Sequence, residues 1–302
     1  MEPEQIRKEI EESLDKLYDR DGESCPILKY KGVNFPNIPT LPESLSQIHL
    51  FPAHKDDIFI CAYPCCGTHW MWEVTSMLLK EKAERIQGVK EEFMIDFIPA
   101  RKFSEISPPR LFNTHLQPHF LPETVLSQNK IIFVVRNPKD VVVSFYKHSY
   151  GMLLRQYNGT FPSYFEMFIE KKITFGDYFE YMNKWWQVIK DNPNCLVVSY
   201  EEASQNLLKT VNKIGHFLGK PPSPELAAGI TELCTFDRMK KEKVSTMDNQ
   251  NQDEFWKPNY SFYRKGKVAT WKEWLTVAQS ERIDARVKTE LADCGIPIVY
   301  SF

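Results

Sequence analysis

Residues 56–72 read DDIFICAYPCCGTHWMW: an apolar run, a tight turn and a helix start, an order that decides the fold. Ile58, Phe59, Ile60, Cys61 and Ala62 show no polar alternation, as in a strand buried on both faces of a parallel sheet. The chain then turns through Pro64, Cys65, Cys66, Gly67 and Thr68, where Gly67 allows dihedrals or close approaches that a Cβ forbids. A helix starting near Thr68 or His69 aims unpaired N–H groups and the positive end of its dipole over that turn. An anion is the natural occupant. The same pattern occurs in α/β proteins whose turn holds nothing, so this stretch alone leaves both readings open. No Gly-Lys-Ser or Gly-Lys-Thr follows, which excludes a Walker A loop, and no G-x-G-x-x-G is present for a dinucleotide.

Residues 130–136, KIIFVVR, form a second unbroken apolar strand, and Asn137-Pro-Lys-Asp140 opens a helix with Pro138 in its first turn. Shorter strands are predicted at 111–116 and 195–200. Helices are predicted at about 69–86, 176–191, 204–218 and 223–233. Alternating strands and helices with no internal repeat predict an α/β fold. The expectation is a single domain over 1–302, with a central, mostly parallel sheet flanked by helices and a P-loop-like strand-turn-helix. Ile6, Ile10, Leu14 and Leu17 at helical spacing predict an N-terminal helix within 1–20, followed by a Pro-rich connector. Residues 240–266 are polar and aperiodic, and read as a lid or nucleotide loop.

A chain of 302 residues with formal net charge -2 offers no electrostatic case for a nucleic-acid or membrane-surface partner. The charged N-terminus does not read as a signal peptide, and the apolar runs are strand-sized, so a cytoplasmic protein is expected. Seven cysteines without paired C-x-x-C spacing suit reduced thiols better than disulfides or a metal site. The 20 Phe, 13 Tyr and 7 Trp leave enough aromatic surface, beyond a core, to line an apolar pocket.

Three further blocks join the opening turn, with its Tyr63, Pro64, Gly67, Thr68 and Trp70: R-N-P-K-D-x-x-x-S from Arg136 to Ser144, Phe262 with Arg264-Lys265-Gly266, and Lys272-xxx-Thr276-Val277-xxx-Glu281. In this order they resemble the cytosolic sulfotransferases nearly end to end. The resemblance implies transfer of a sulfuryl group from 3′-phosphoadenosine 5′-phosphosulfate (PAPS) to a hydroxyl or amine of a small apolar acceptor, without a metal. It implies a 5′-phosphosulfate site at Cys65, Cys66, Gly67, Thr68 and His69, and a 3′-phosphate site at Arg136, Ser144, Arg264, Lys265 and Gly266. It implies adenine contacts at Trp70, Tyr200 and Phe236, and a catalytic base at His115. Dimerisation through Lys272, Thr276, Val277 and Glu281 is implied as well. Taken singly, these residues also have plain structural readings: Arg136 paired with Asp140, the aromatics in the core, Arg264 and Lys265 as solvated charges.

The chain also departs from the pattern. Where the family's turn carries a lysine that offsets charge on the departing phosphate, this chain has Cys65, and Asn113 replaces the lysine two residues before the histidine. His69, held protonated by a bound phosphate, is one candidate replacement for the lost charge. Two outcomes stay open: a sulfotransferase slowed by the lost lysine, or an impaired nucleotide-binding protein on the same scaffold. A P-loop kinase is disfavoured by the missing Walker lysine.

Overall fold

The computed structural model describes residues 2–85, 88, 90–104, 106–248, 256–258, 260, 266–292 and 294–300. The helix expected within 1–20 ends early: α1 (Pro3–Glu12) buries Ile6 and Ile10, whereas Leu14, next in that register, is exposed. Residues beyond it form a strand instead. β1 (Asp15–Tyr18) pairs with β2 (Ser24–Tyr30), Asp15 opposite Ile27, and the pairing satisfies backbone groups that a fraying helix end would leave to water. Lys29 Nζ adds an ion pair to Asp15 Oδ2 at 2.6 Å. β3 (Val33–Pro36) completes this antiparallel sheet, in the order β1-β2-β3.

After α2 (Leu41–Gln47) comes β4 (Ile58–Ala62), buried at every position, and then α3 (Thr68–Lys80). α3 stops at Lys80, short of the expected 86, because Glu81 turns into the left-handed region at φ 54. β5 (Leu111–Thr114), α4 (Glu123–Gln128), β6 (Lys130–Val135) and α5 (Pro138–Gly151) follow. Pro138 occupies the first turn of α5, and Asn137 caps it by accepting from Lys139 N at 3.0 Å. Next are α6 (Phe161–Ile169), α7 (Tyr178–Ile189), β7 (Cys195–Ser199), α8 (Tyr200–Gln205), α9 (Leu207–Leu218) and α10 (Pro224–Leu233).

The four longer-range strands form one parallel sheet in the order β5-β4-β6-β7. Ile131 to Val135 in β6 are fully buried, as their lack of alternation requires. At the far edge from the site, Arg110 grips Asp57 through Nε at 2.9 Å and Nη2 at 2.5 Å, tying the start of β4 to the start of β5.

The expected loop at 240–266 is helical at its beginning. α11 (Phe236–Asp248) continues through residue 248, supported by an Arg238–Glu242 pair at 3.3 Å, one turn apart. Arg85 clasps it to the rest of the fold, reaching Glu242 at 2.6 Å, Leu233 O at 2.6 Å and Glu73 at 3.3 Å. α12 (Val277–Arg286) runs on into a π-helical stretch, Val287–Leu291. Among the described residues no helix is long and apolar enough to cross a membrane.

Candidate active site

The carboxyl ends of all four parallel strands open onto one cavity of about 500 Å³. In an open parallel sheet this is where ligands bind. β4 leads into the turn at residues 63–67, β5 into His115, β6 into Arg136 and β7 into Tyr200, and residues from each of these line the cavity.

The turn is built as a cradle. Cys65 sits at φ 67 and Gly67 at φ 105, so the backbone curls in the left-handed region before α3 begins. A Cβ on Gly67 would lie 2.7 Å from the Tyr200 ring, so only glycine fits between that ring and the helix start. Thr68 Oγ1 is buried and has no hydrogen-bond partner among the described residues. Arg136 is also buried. Its Nη1 donates to Cys65 O at 2.8 Å and to Ser144 Oγ at 3.2 Å, and its guanidinium lies 4.1 Å from the Tyr200 ring centroid. Its Nε has no partner among the described residues. Asp140 does not pair with it: that carboxylate accepts from Ala269 N, Thr270 Oγ1 and Trp271 N, and so anchors the segment after Gly266. Two buried donors without partners around a glycine cradle suit an anionic ligand.

The expected adenine contacts come together. The Trp70 ring meets Tyr200 edge-on at 5.4 Å and its indole N–H donates to Cys234 O at 2.8 Å. Phe236 lines the same cavity, so close to Gly266 that a Cβ there would meet its ring at 2.0 Å. Cys66 is buried beneath the turn and does not line the cavity, and its N–H is taken by Tyr63 O at 3.2 Å. Phe262, Arg264 and Lys265 lie outside the described residues.

His115 Nδ1 lies 2.7 Å from Ala62 O. A carbonyl only accepts, so Nδ1 carries the proton and Nε2 keeps its lone pair. Burial, and next to it the Lys90 charge, push the imidazole pKa down to about 3, so the ring is neutral at physiological pH. Asp96 fixes the strand end by accepting from His115 N at 2.8 Å and from Thr114 Oγ1, and its own burial raises its pKa to about 7.

Two charged cavity residues, Lys90 and Arg155, carried no signal in the sequence. Lys90 is buried at the wall, its Nζ 3.1 Å from Glu91 Oε1 and 3.4 Å from Asn113 Oδ1, while Asn113 Nδ2 donates to Lys90 O at 2.7 Å. His69 Nε2 reaches the same Glu91 at 2.9 Å. Burial lowers the His69 pKa against the pull of Glu91. Arg155 lines the cavity beside Met152 and Phe175, and His148 lies near Trp256 with a ring separation of 5.3 Å. Burial, with the Arg155 charge next, holds His148 well below its ordinary pKa. Among the described residues no group of three or more His, Cys, Asp or Glu could hold a metal ion.

The family model for the sulfotransferase domain matches residues 55–295. Mouse sulfotransferase 1A1 is 31% identical over 280 residues, covering 89% of this chain and 95% of the relative. Human sulfotransferase 1E1 is 32% identical over 261 residues, covering 82% and 87%. Mouse sulfotransferase SULT7A1, solved in complex with PAP, superposes with a TM-score of 0.72 at 27% identity, covering 88% of this chain and 95% of that one. Retinol dehydratase, solved with retinol and PAP, shares the fold, with a TM-score of 0.75 at 21% identity, covering 98% and 96%. With more than half its length matched by that domain and relatives above 30% identity over most of both chains, this protein belongs to the sulfotransferase family.

Proposed function

We propose that His115 is the base that takes the proton from a hydroxyl or amine of a small apolar acceptor, and that the cradle of Gly67, Thr68 and Arg136 holds the donor. The chain is a PAPS-dependent sulfotransferase acting on a small-molecule acceptor. When bound, PAPS supplies the transferable sulfuryl group. The observation that carries this function is the fixed tautomer: Ala62 O holds the His115 proton on Nδ1, so Nε2 is left as an acceptor on a residue that lines the cavity together with Thr68 and Arg136. Ser144 keeps one arm of Arg136 in place, and its Nε remains for an anion. Trp70, Tyr200 and Phe236 offer aromatic faces for a base, with Gly266 admitting Phe236. Backbone N–H groups of Thr68 and His69, in the first turn of α3, complete the anion cradle around Cys65. Lys90 supplies the cation that Cys65 and Asn113 do not, which favours an active enzyme over an impaired scaffold.

Calorimetric titration with PAP, followed by PAPS turnover on phenols, alcohols, sterols and amines, tests the assignment. Saturable binding with turnover on at least one class is expected. Absence of binding heat would remove the cradle, and binding without turnover on any class would favour the impaired scaffold.

We also propose a homodimer through Lys272, Thr276, Val277 and Glu281. Val277 is 76% exposed at the start of α12, where Thr276 Oγ1 accepts from Gln279 N at 3.2 Å and fixes the helix start. An apolar side chain held rigidly in water suits a self-complementary contact. Val277→Glu should therefore yield a monomer by light scattering, and an unchanged mass would sink the assignment. A cytoplasmic setting is consistent with all seven cysteines being thiols.

A further inference from the structure

Five cationic side chains are buried in the described fold, and their partners divide them. Arg110 has Asp57, Lys139 has Asp284 and Lys90 has Glu91. Arg136 and Arg155 form no ion pair with a carboxylate among the described residues, Asp140 and Glu201 acting on Arg136 only from longer range; both line the cavity, and each has an Nε without a hydrogen-bond partner among those residues. A buried guanidinium with no counter-charge costs several kcal/mol on general grounds, so such a group is kept where a ligand brings the charge. For Arg136 that ligand is the donor. Arg155 lies beside Phe175, the ring that also neighbours His115.

Arg155 is 5% exposed. Its Nη1 donates to Thr174 Oγ1 at 2.6 Å, which orients the fork without neutralising it. Burial pushes its own pKa down, and among the groups acting on it Tyr164, Cys25 and Tyr63 are themselves held above their ordinary pKa values by burial. Its guanidinium lies 6.0 Å from the Phe175 ring centroid, and the His115 ring lies 5.5 Å from the same centroid. Arg155 and the proposed base therefore share one neighbour and stand within a small molecule's length of each other. Phe175 is held at φ 67, a conformation a bulky residue adopts only when its surroundings enforce it. Ile38, Phe97 and Met152 make the intervening wall apolar.

We propose that Arg155 receives a carboxylate of the acceptor, so that this enzyme sulfates small apolar molecules carrying an acid group in addition to the reacting hydroxyl or amine. The assignment rests on His115 marking the acceptor end of the cavity. The Arg155 fork would take the carboxylate through Nε and its second Nη, and the apolar body would lie along Phe175.

The test uses 4-hydroxyphenylalkanoates with chains from a single methylene to several, each compared with its own amide, on the PAP-loaded protein by calorimetry and on the PAPS-driven reaction by rate. At the best chain length the acid should bind more tightly than the amide, and its kcat/KM should be higher, by on the order of 10- to 100-fold, the worth of one charged hydrogen-bonded contact. In Arg155→Gln the acid-to-amide ratio should fall to near unity, and Arg155→Lys should restore part of it. Acid and amide behaving alike at every length, or Arg155→Gln keeping the preference, would overturn the proposal. Calorimetry on the unaltered protein decides the matter even where a variant does not fold. If the His115 assignment fails while this one holds, turnover is lost for both members of a pair and the binding difference persists. If this one fails alone, turnover continues without preference.

Discussion

His115→Ala should lower kcat by roughly 100- to 10,000-fold, the usual worth of a positioned general base, while PAP affinity stays within a few-fold of the parent. The size of the effect follows from how completely the ring is prepared. Its tautomer is set by Ala62 O at 2.7 Å, its backbone by Asp96 at 2.8 Å, and its neutral form by burial that pushes the pKa down to about 3. Each of these removes a cost that a free imidazole would meet during the reaction. Single-turnover rates together with PAP calorimetry separate the two effects. A loss of PAP affinity equal to the loss of rate would place His115 in nucleotide binding instead.

Lys90→Met should lower kcat by about 100- to 1,000-fold, as expected for loss of one preorganised charge in a dry site. Methionine keeps most of the aliphatic bulk, so the fall measures the charge. The same substitution carries a second signature. Lys90 helps to depress the His115 pKa, so its removal should raise that pKa and move the acid limb of the pH–rate profile upward. A residue that merely filled the wall would leave the limb where it was. Asn113 offers the complement: its amide holds Lys90 O at 2.7 Å, and Asn113→Lys in the Lys90→Met background should recover part of the rate. In the parent, Asn113→Lys would set two ammonium groups against each other and should slow the enzyme. An unchanged pH limb together with an unchanged rate in Lys90→Met would end the assignment.

The core of the fold could be read from residue types because β4, β6 and β7 are unbroken apolar runs, and a parallel sheet buried on both faces demands such runs. The N-terminal sheet could not. β2 reads SCPILKY, with a proline inside it and no alternation, and β1 continues the spacing of α1 closely enough to look helical. What turns β1 into a strand is pairing with Ile27 and its neighbours, a tertiary fact absent from local spacing. The site divides in the same way. Gly67, His115, Arg136 and Tyr200 lie at or shortly after the ends of the sheet strands, and the blocks that resemble the sulfotransferases marked them in the sequence. Lys90 and Arg155 come from short 3₁₀ turns, where a lysine or arginine reads as a solvated charge until burial is known. The start of α11 was masked by its polar composition, since the Arg85 clasp supports it together with buried Met239.

The strand order has a consequence for how the molecule is made. Each neighbour in the β5-β4-β6-β7 sheet is distant in sequence: Ile58 pairs with Leu111 and with Lys130, and Ile131 with Cys195. Closing such loops consumes chain entropy before any ladder repays it, so folding should be slow compared with that of helical bundles of similar stability. Gly67 and Arg136 meet the Tyr200 ring only after β7 has joined β6. The nucleotide cradle is therefore one of the last features a refolding chain acquires, and recovery of PAP affinity after denaturant dilution times completion of the sheet.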